Sequence, residues 1–275
     1  MSVEIAHGTT IIGEKAFYFC GNLTSVEIPN SVTTIGDYAF YSCSGLKNIT
    51  IPDGVTTIGK EAFRLCKGLT SVNIGEGVTT IGDYAFEACT SLKSITIPSN
   101  VTTMGTNVFY RCSGLTSAHI ADGVTTIGPY AFHSCDSLEN VYIGNKVTTI
   151  EYCAFSSCPS LTSVTIPDSV VTIGNFAFSS CENLASVYLG EGVSTIKGSA
   201  FASCVSLTSI NIPNSVSIIE GGAFSSCTSL TSIDLPNSII AIGMSTFSNC
   251  INLKSIVLPE DLTSISLYTF MSCIS

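Results

Sequence analysis

Positive charge is scarce in this chain: ten Lys and Arg stand against twenty Asp and Glu, a net charge of −10. That balance repels phosphate backbones and anionic lipid surfaces alike, so nucleic acid is not an expected partner. Long apolar runs are also missing. No stretch approaches the roughly 18 uninterrupted apolar residues of a membrane span, so direct membrane insertion is not expected. Histidine is rarer still, with His7, His119 and His133 alone. None of the three sits in a zinc-binding His-Glu-x-x-His pattern, and neither a Gly-x-Ser-x-Gly elbow nor a phosphate-binding glycine loop occurs. Without those signatures the chain is read as non-enzymatic and without a cofactor. Its amino terminus, Met-Ser-Val-Glu-Ile, shows no signal peptide and enters a truncated coil in which Val3 and Ile5 match Val26 and Ile28.

What the sequence has in abundance is repetition. Phenylalanine recurs every 23 residues at Phe17, Phe40, Phe63, Phe86, Phe109, Phe132, Phe155, Phe178, Phe201, Phe224, Phe247 and Phe270. A cysteine follows each at three residues, from Cys20 to Cys273, and a leucine follows all but the last at six, from Leu23 to Leu253. Self-similarity at such a period means stacked supersecondary units, so the chain is expected to be one solenoid domain over residues 1–275 with about twelve coils. Hydrophobic residues make up 45% and charged ones 11%, enough apolar material for a continuous core.

One coil, from Leu69 to Ser91, shows the plan. Its apolar positions are Leu69, Val72, Ile74, Val78, Ile81, Ala85, Phe86 and Cys89. The alternation Val72, Asn73, Ile74 predicts a short strand with one face inward, and Val78 to Ile81 predicts a second extended segment. Between them lies a turn, written Pro-Asp-Ser at Pro167 to Ser169 and Pro-Asn-Ser at Pro213 to Ser215. The compact Ala85-Phe86 corner leading to Cys89 predicts a turn of 3₁₀- or α-helix. Eight buried apolar side chains contribute about 16 kcal/mol gross. An unstacked coil realises about half of that, against about 1 to 2 kcal/mol of backbone entropy per residue, so no coil folds alone. Stacking at about 4.7 to 4.9 Å per coil pairs the strands into parallel ladders.

The Leu-x-x-Val-x-Ile core, the following proline, the Val-x-x-Ile-Gly segment and the Ala-Phe-x-x-Cys corner together resemble the BspA-like, or treponemal-type, leucine-rich repeat. The resemblance covers essentially the whole chain. Departures are few: Ala118 replaces the strand valine, Met104 the isoleucine before glycine, and Glu151, Lys197, Glu220 and Ser266 that glycine. The resemblance implies a right-handed leucine-rich-repeat coil and a binding surface. Family members are often surface proteins with roles in adhesion, which implies a cell-surface or secreted location, and no catalytic residue is carried over.

Twelve of the thirteen cysteines occupy one equivalent position and form an interior file. Thiols in single file without histidine do not converge on one metal ion, and parallel in-register side chains hold their Cβ atoms too far apart for disulfides. They are expected to be buried, reduced and hydrophobic. Cys153 lies off this file, at the position of Tyr38 and Tyr130, and is the candidate reactive thiol. That position also carries Tyr84 and Phe176; bulky rings alternating with smaller side chains are read there as edge packing, with an aromatic binding strip as the alternative. The turn row Asp53, Glu76, Asp122, Asp168 and Glu191 supplies one carboxylate per coil, fewer than calcium wants, so no metal site is expected. The threonine row from Thr34 to Thr195 suits exposed strand positions and breaks at Ile218 and Ala241, which argues against an ice-binding face.

Ligand contact is expected where outward strand positions vary. From Glu27 they read Thr50, Asn73, Thr96, His119, Tyr142, Thr165, Tyr188, Asn211, Asp234 and Val257. His119, Tyr142 and Tyr188 bring aromatic character to the middle, with Asn140 and Glu139 beside them. Tyrosine offers rigid amphipathic contact area and is enriched at interface hot spots, though it also simply favours strands. The expected function is recognition or adhesion, binding a protein or glycan through the strand-lined concave face; the alternative is an intracellular protein–protein interaction scaffold. The first coil starts part way through and the last stops at Ser275, and neither has a polar cap, so end-to-end association of copies is a further expectation.

Overall fold

The computed structural model describes residues 1–274 and contains two compact units, Met1–Gly144 and Asn145–Ser275. Each is a parallel-strand β-solenoid, and together they hold about eleven turns. Ser275, at which the last coil stops short, lies outside the described residues.

In the first unit the Val-x-Ile alternation folds as the sequence pattern requires. Strands Ser71–Ile74, Ser94–Ile97, Ser117–Ile120 and Asn140–Ile143 send their second and fourth side chains inward and their first and third outward. Their register follows the 23-residue period, with Ser94, Ser117 and Asn140 opposite one another. A second ladder is built from two-residue strands, Ile11–Ile12, Thr34–Ile35, Thr57–Ile58, Thr80–Ile81 and Thr103–Met104, hydrogen-bonded in that order. The turn between the ladders closes where expected: Val32 N–H donates to Pro29 O at 3.0 Å and Val55 N–H to Pro52 O at 3.0 Å. In the second unit strand Ser163–Ile166 pairs with Ser186–Leu189, and Thr149–Ile150, Thr172–Ile173, Thr195–Ile196, Ile218–Ile219 and Ala241–Ile242 form the second ladder.

The corner departs from the 3₁₀ or α turn expected from its compactness: no described residue is helical. The backbone accounts for the difference. Tyr38, Phe40 and Ser42 donate their N–H groups to Lys60 O, Ala62 O and Arg64 O of the next coil at 2.8, 2.7 and 2.8 Å. The alternate residues Ala39, Tyr41 and Cys43 bond back three residues, to Gly36 O, Tyr38 O and Phe40 O. A helix would turn every N–H into its own segment, leaving the neighbouring coil's carbonyls unserved. To aim every second N–H outward, Tyr38 and Ser42 take φ of 56° and 58°, and Glu61, Leu65, Tyr84 and Ala88 repeat this at 54°, 61°, 57° and 54°. Left-handed backbone is unusual for such side chains and costs about 1 to 2 kcal/mol per residue. A third inter-coil ladder offsets that cost.

The core is a set of files. Phe17, Phe40, Phe63, Phe86, Phe109 and Phe132 stack with centroids 4.9 to 5.5 Å apart and planes within 15°. Phe155 to Phe270 do the same at 5.2 to 5.8 Å in the second unit. All thirteen cysteines are reduced thiols. On the file, Cys66 Sγ donates to Phe40 O at 3.1 Å and Cys112 Sγ to Phe86 O at 3.1 Å, one coil back; Cys204 Sγ does so to Phe178 O at 3.2 Å. The thiol is thus a hydrogen-bond donor that joins coils as well as a small hydrophobe.

Candidate ligand-binding face

Because side chains alternate along each strand, one outward row runs Thr96, His119, Tyr142 across three paired strands of the first unit. The His119 and Tyr142 rings stack at 4.4 Å with planes 5° apart. Tyr142 is 47% exposed although one face of its ring covers the imidazole. Beside the pair, Ser94, Thr96, Ser117, Asn140 and Tyr142 line an open recess of about 300 Å³ floored by Ile95, Ala118 and Val141. Ala118, where other coils have valine or isoleucine, is 4% exposed. The arrangement offers a flat ring pair next to hydroxyl and amide groups, on strands whose register the core holds.

Asn140 is exposed and sits opposite Ser117. Glu139, also exposed, immediately precedes strand Asn140–Ile143 and donates its backbone N–H to Thr116 O at 3.0 Å. Tyr188 belongs to the second unit, where it is 56% exposed opposite Thr165. The first unit therefore brings together His119, Tyr142 and Asn140, with Glu139 at the margin, and Tyr188 marks the equivalent face of the second unit.

Cys153 is only 8% exposed, and burial raises its thiol above the ordinary range against weaker opposing hydrogen bonds from Tyr152 and Ser156. Reactivity needs thiolate, and this environment disfavours it. The turn carboxylates act within the fold: Asp53 Oδ1 accepts from Glu76 N at 2.8 Å and Asp168 Oδ1 from Glu191 N at 2.9 Å, each capping the next coil. Among the described residues no three His, Cys, Asp or Glu side chains converge as a metal site.

Sequence reasoning passed over the residue after each phenylalanine. In the first unit that row reads Tyr18, Tyr41, Arg64, Glu87, Tyr110 and His133, and in the second Ser156, Ser179, Ala202, Ser225, Ser248 and Met271. Aligning every coil at this position, and not only at the strand, exposes the contrast.

The geometry of paired 23-residue coils has counterparts among known proteins. The BspA type leucine rich repeat region matches residues 9–138, 105–228 and 194–275 in six copies. A leucine-rich repeat protein from Bacteroides ovatus is 30% identical, with 100% of this chain and 85% of that chain covered and a TM-score of 0.60. A leucine rich cell surface protein from Faecalibacterium prausnitzii is 33% identical over 93% of this chain and 86% of that one, with a TM-score of 0.45. The pneumococcal vaccine antigen PcpA is 18% identical, covers 95% of this chain and 82% of its own, and shares the fold at a TM-score of 0.54. No curated protein matches. Among the described residues no helix is long and apolar enough to cross a membrane. With the match running through almost every coil and the ladders in place, the chain belongs to the BspA type leucine rich repeat family.

Proposed function

We propose that this protein is a non-enzymatic recognition module that binds a protein or glycan through its strand-lined face, displayed at a cell surface or secreted. One observation carries the reading: the exposed, stacked His119–Tyr142 pair beside a recess rich in hydroxyl and amide groups. Rings held rigid by a neighbouring ring lose little conformational entropy on binding, and tyrosine is a preferred hot-spot residue. Support for the location comes from the 33% identity to a leucine rich cell surface protein. The intracellular scaffold remains the second reading because thirteen reduced thiols suit a reducing compartment. The thiols on the interior file are sheltered, however, and burial protects them from oxidation in either setting.

The test uses arrays of immobilised extracellular proteins and glycans. The chain is expected to bind at least one member, and the His119→Ala/Tyr142→Ala variant to bind it about tenfold or more weakly with an unchanged melting curve. Tyr188→Ala, made separately, reports whether the second unit contributes. Undiminished binding by the double variant would remove the strand-lined face from the site.

A further inference from the structure

The corners of the first unit carry large side chains that the strand-lined face leaves unexplained. Tyr18 stacks on Tyr41 at 4.9 Å, and Tyr38 lies across Tyr18 at 79°. Further along the same corners, Tyr110 stacks on His133 at 5.3 Å, and Tyr130 crosses both at 79° and 88°. Between the two groups along the repeat, the Arg64 guanidinium lies 5.9 Å from the Tyr41 ring centre and 5.7 Å from that of Tyr84. The result is a strip of rings along the corners from Tyr18 to His133.

The repeat supplies its own control for whether folding needs these rings. At the position of Tyr38, Tyr84 and Tyr130 the second unit keeps a ring at Phe176 and Tyr268 but has Ser199, Gly222 and Ser245 between them. At the position of Tyr41 it has Ser179, Ala202 and Ser225. The backbone is the same with or without the ring: φ is 56° at Tyr38 and 57° at Tyr84, against 56° at Ser199 and 59° at Ser245. Each of those small residues keeps the inter-coil bond, as in Ser199 N–H to Gly221 O at 2.9 Å. The fold dispenses with these rings in successive coils of the second unit, so the repeat backbone does not require them.

Three features select the occupant. Most charge along the strip is balanced: Arg64 Nη1 lies 2.7 Å from Glu61 Oε2 and Arg64 Nε 2.8 Å from Glu87 Oε2, and exposed Lys15 Nζ lies 2.7 Å from Glu14 Oε1, while Arg111 is exposed over the Tyr110 ring at 5.0 Å outside these pairs. A neutral partner therefore fits better than a strongly charged one. Shape is the second: the rings recur at one corner of successive coils, a track along the repeat that suits an extended chain. Spacing is the third. Tyr38, Tyr84 and Tyr130 recur at two-coil intervals, about 10 Å by the strand spacing, which is the length of two sugars in an extended β-linked chain. Aromatic faces stack on the C–H face of a pyranose while phenol hydroxyls reach its hydroxyl rim.

We propose that this corner strip is a binding surface for a neutral, extended polysaccharide laid along the coils, with Tyr38, Tyr84 and Tyr130 each meeting every second sugar. The site is separate from the strand-lined face and does not depend on it. Because the chain lacks tryptophan, tyrosine fluorescence reports such stacking directly. Cellohexaose and chitohexaose serve as probes, titrated against the intact chain. A saturable fluorescence change is expected with at least one of them, about tenfold weaker in Tyr84→Ser and in Tyr130→Ser and unaltered in Tyr142→Ala. Serine is native at this corner position, so the variants are expected to keep their circular dichroism. Hydroxyl-radical footprinting of the unmodified chain gives a readout that needs no variant, and protection is expected at Tyr38, Tyr84 and Tyr130. Absence of binding to both probes overturns the proposal, as does binding that leaves those three tyrosines unprotected, or that is lost in Tyr142→Ala. Failure here leaves the array test of the strand-lined face untouched.

Discussion

At the residue scale the interior thiols say most about how this chain holds together. Those between the two end coils are shut from water. Each that donates its S–H to a phenylalanine carbonyl one coil back satisfies an acceptor that also takes the local cysteine N–H, as Phe86 O does from Cys112 Sγ and Cys89 N. Burial pushes Cys43 up to about 11 and Cys112, Cys181 and Cys250 up to about 12. A thiolate is therefore disfavoured in the fold relative to the unfolded chain. The stability this represents is complete below the unfolded thiol pKa of about 8.5 and is lost as pH rises through the folded values. Circular dichroism and thiolate absorbance, followed together from neutral to alkaline pH, are expected to stay flat to about pH 9 and then change in concert, because ionisation accompanies unfolding. Thiolate appearing at lower pH in a chain that keeps its strand signal would contradict the sheltered file. Cysteine's periodicity and apolar company were legible in the sequence; its hydrogen bond was not, since it depends on a carbonyl 26 residues away.

At the element scale the corner decides the architecture. Left-handed residues flank the phenylalanine on both sides, such as Phe176 and Ser180 at φ of 57° and 59° around Phe178. The chain accepts this conformation in tyrosine, leucine and glutamate because inter-coil bonds determine it. Phe176 N–H and Ser180 N–H donate to Gly198 O and Ala202 O at 3.0 and 2.8 Å. Ser180→Gly removes the side-chain penalty at φ of 59°, offset by the larger entropy of the unfolded glycine, so thermal stability should hold or rise by up to about 1 kcal/mol. A loss of about 2 kcal/mol or more, the scale of a large core deletion, would mean that the conformation is not strained as inferred. Single-sequence reading missed this feature for a physical reason. Left-handed backbone is ordinarily signalled by glycine or asparagine, and Tyr38, Glu61 and Leu65 give no such signal. The Val-x-Ile strands, by contrast, were legible to within a residue, as Val72 to Ile74 against Ser71–Ile74, because alternation and the 23-residue period point to one register, whereas the segment read from Val78 to Ile81 pairs as a strand only at Thr80–Ile81.

At the scale of the whole molecule a repetitive framework carries a varied exterior. The repeat predetermines which positions can vary, so the outward row through Thr96, His119 and Tyr142 was legible from residue spacing alone. Contact was not. The 4.4 Å stack of His119 on Tyr142, and the stacks of Tyr18 on Tyr41 and Tyr110 on His133, join residues one coil apart, and only alignment of all coils at once hints at them. If ligand meets the strands of the first unit, their amides must exchange more slowly when it is bound. Hydrogen–deuterium exchange, with and without the tightest array-selected ligand, tests it most directly. Binding is expected to slow exchange in Ser94–Ile97, Ser117–Ile120 and Asn140–Ile143 and to leave the two-residue strands Thr57–Ile58, Thr80–Ile81 and Thr103–Met104 unchanged. Protection confined to those two-residue strands, with the three four-residue strands exchanging as in the free chain, would contradict it.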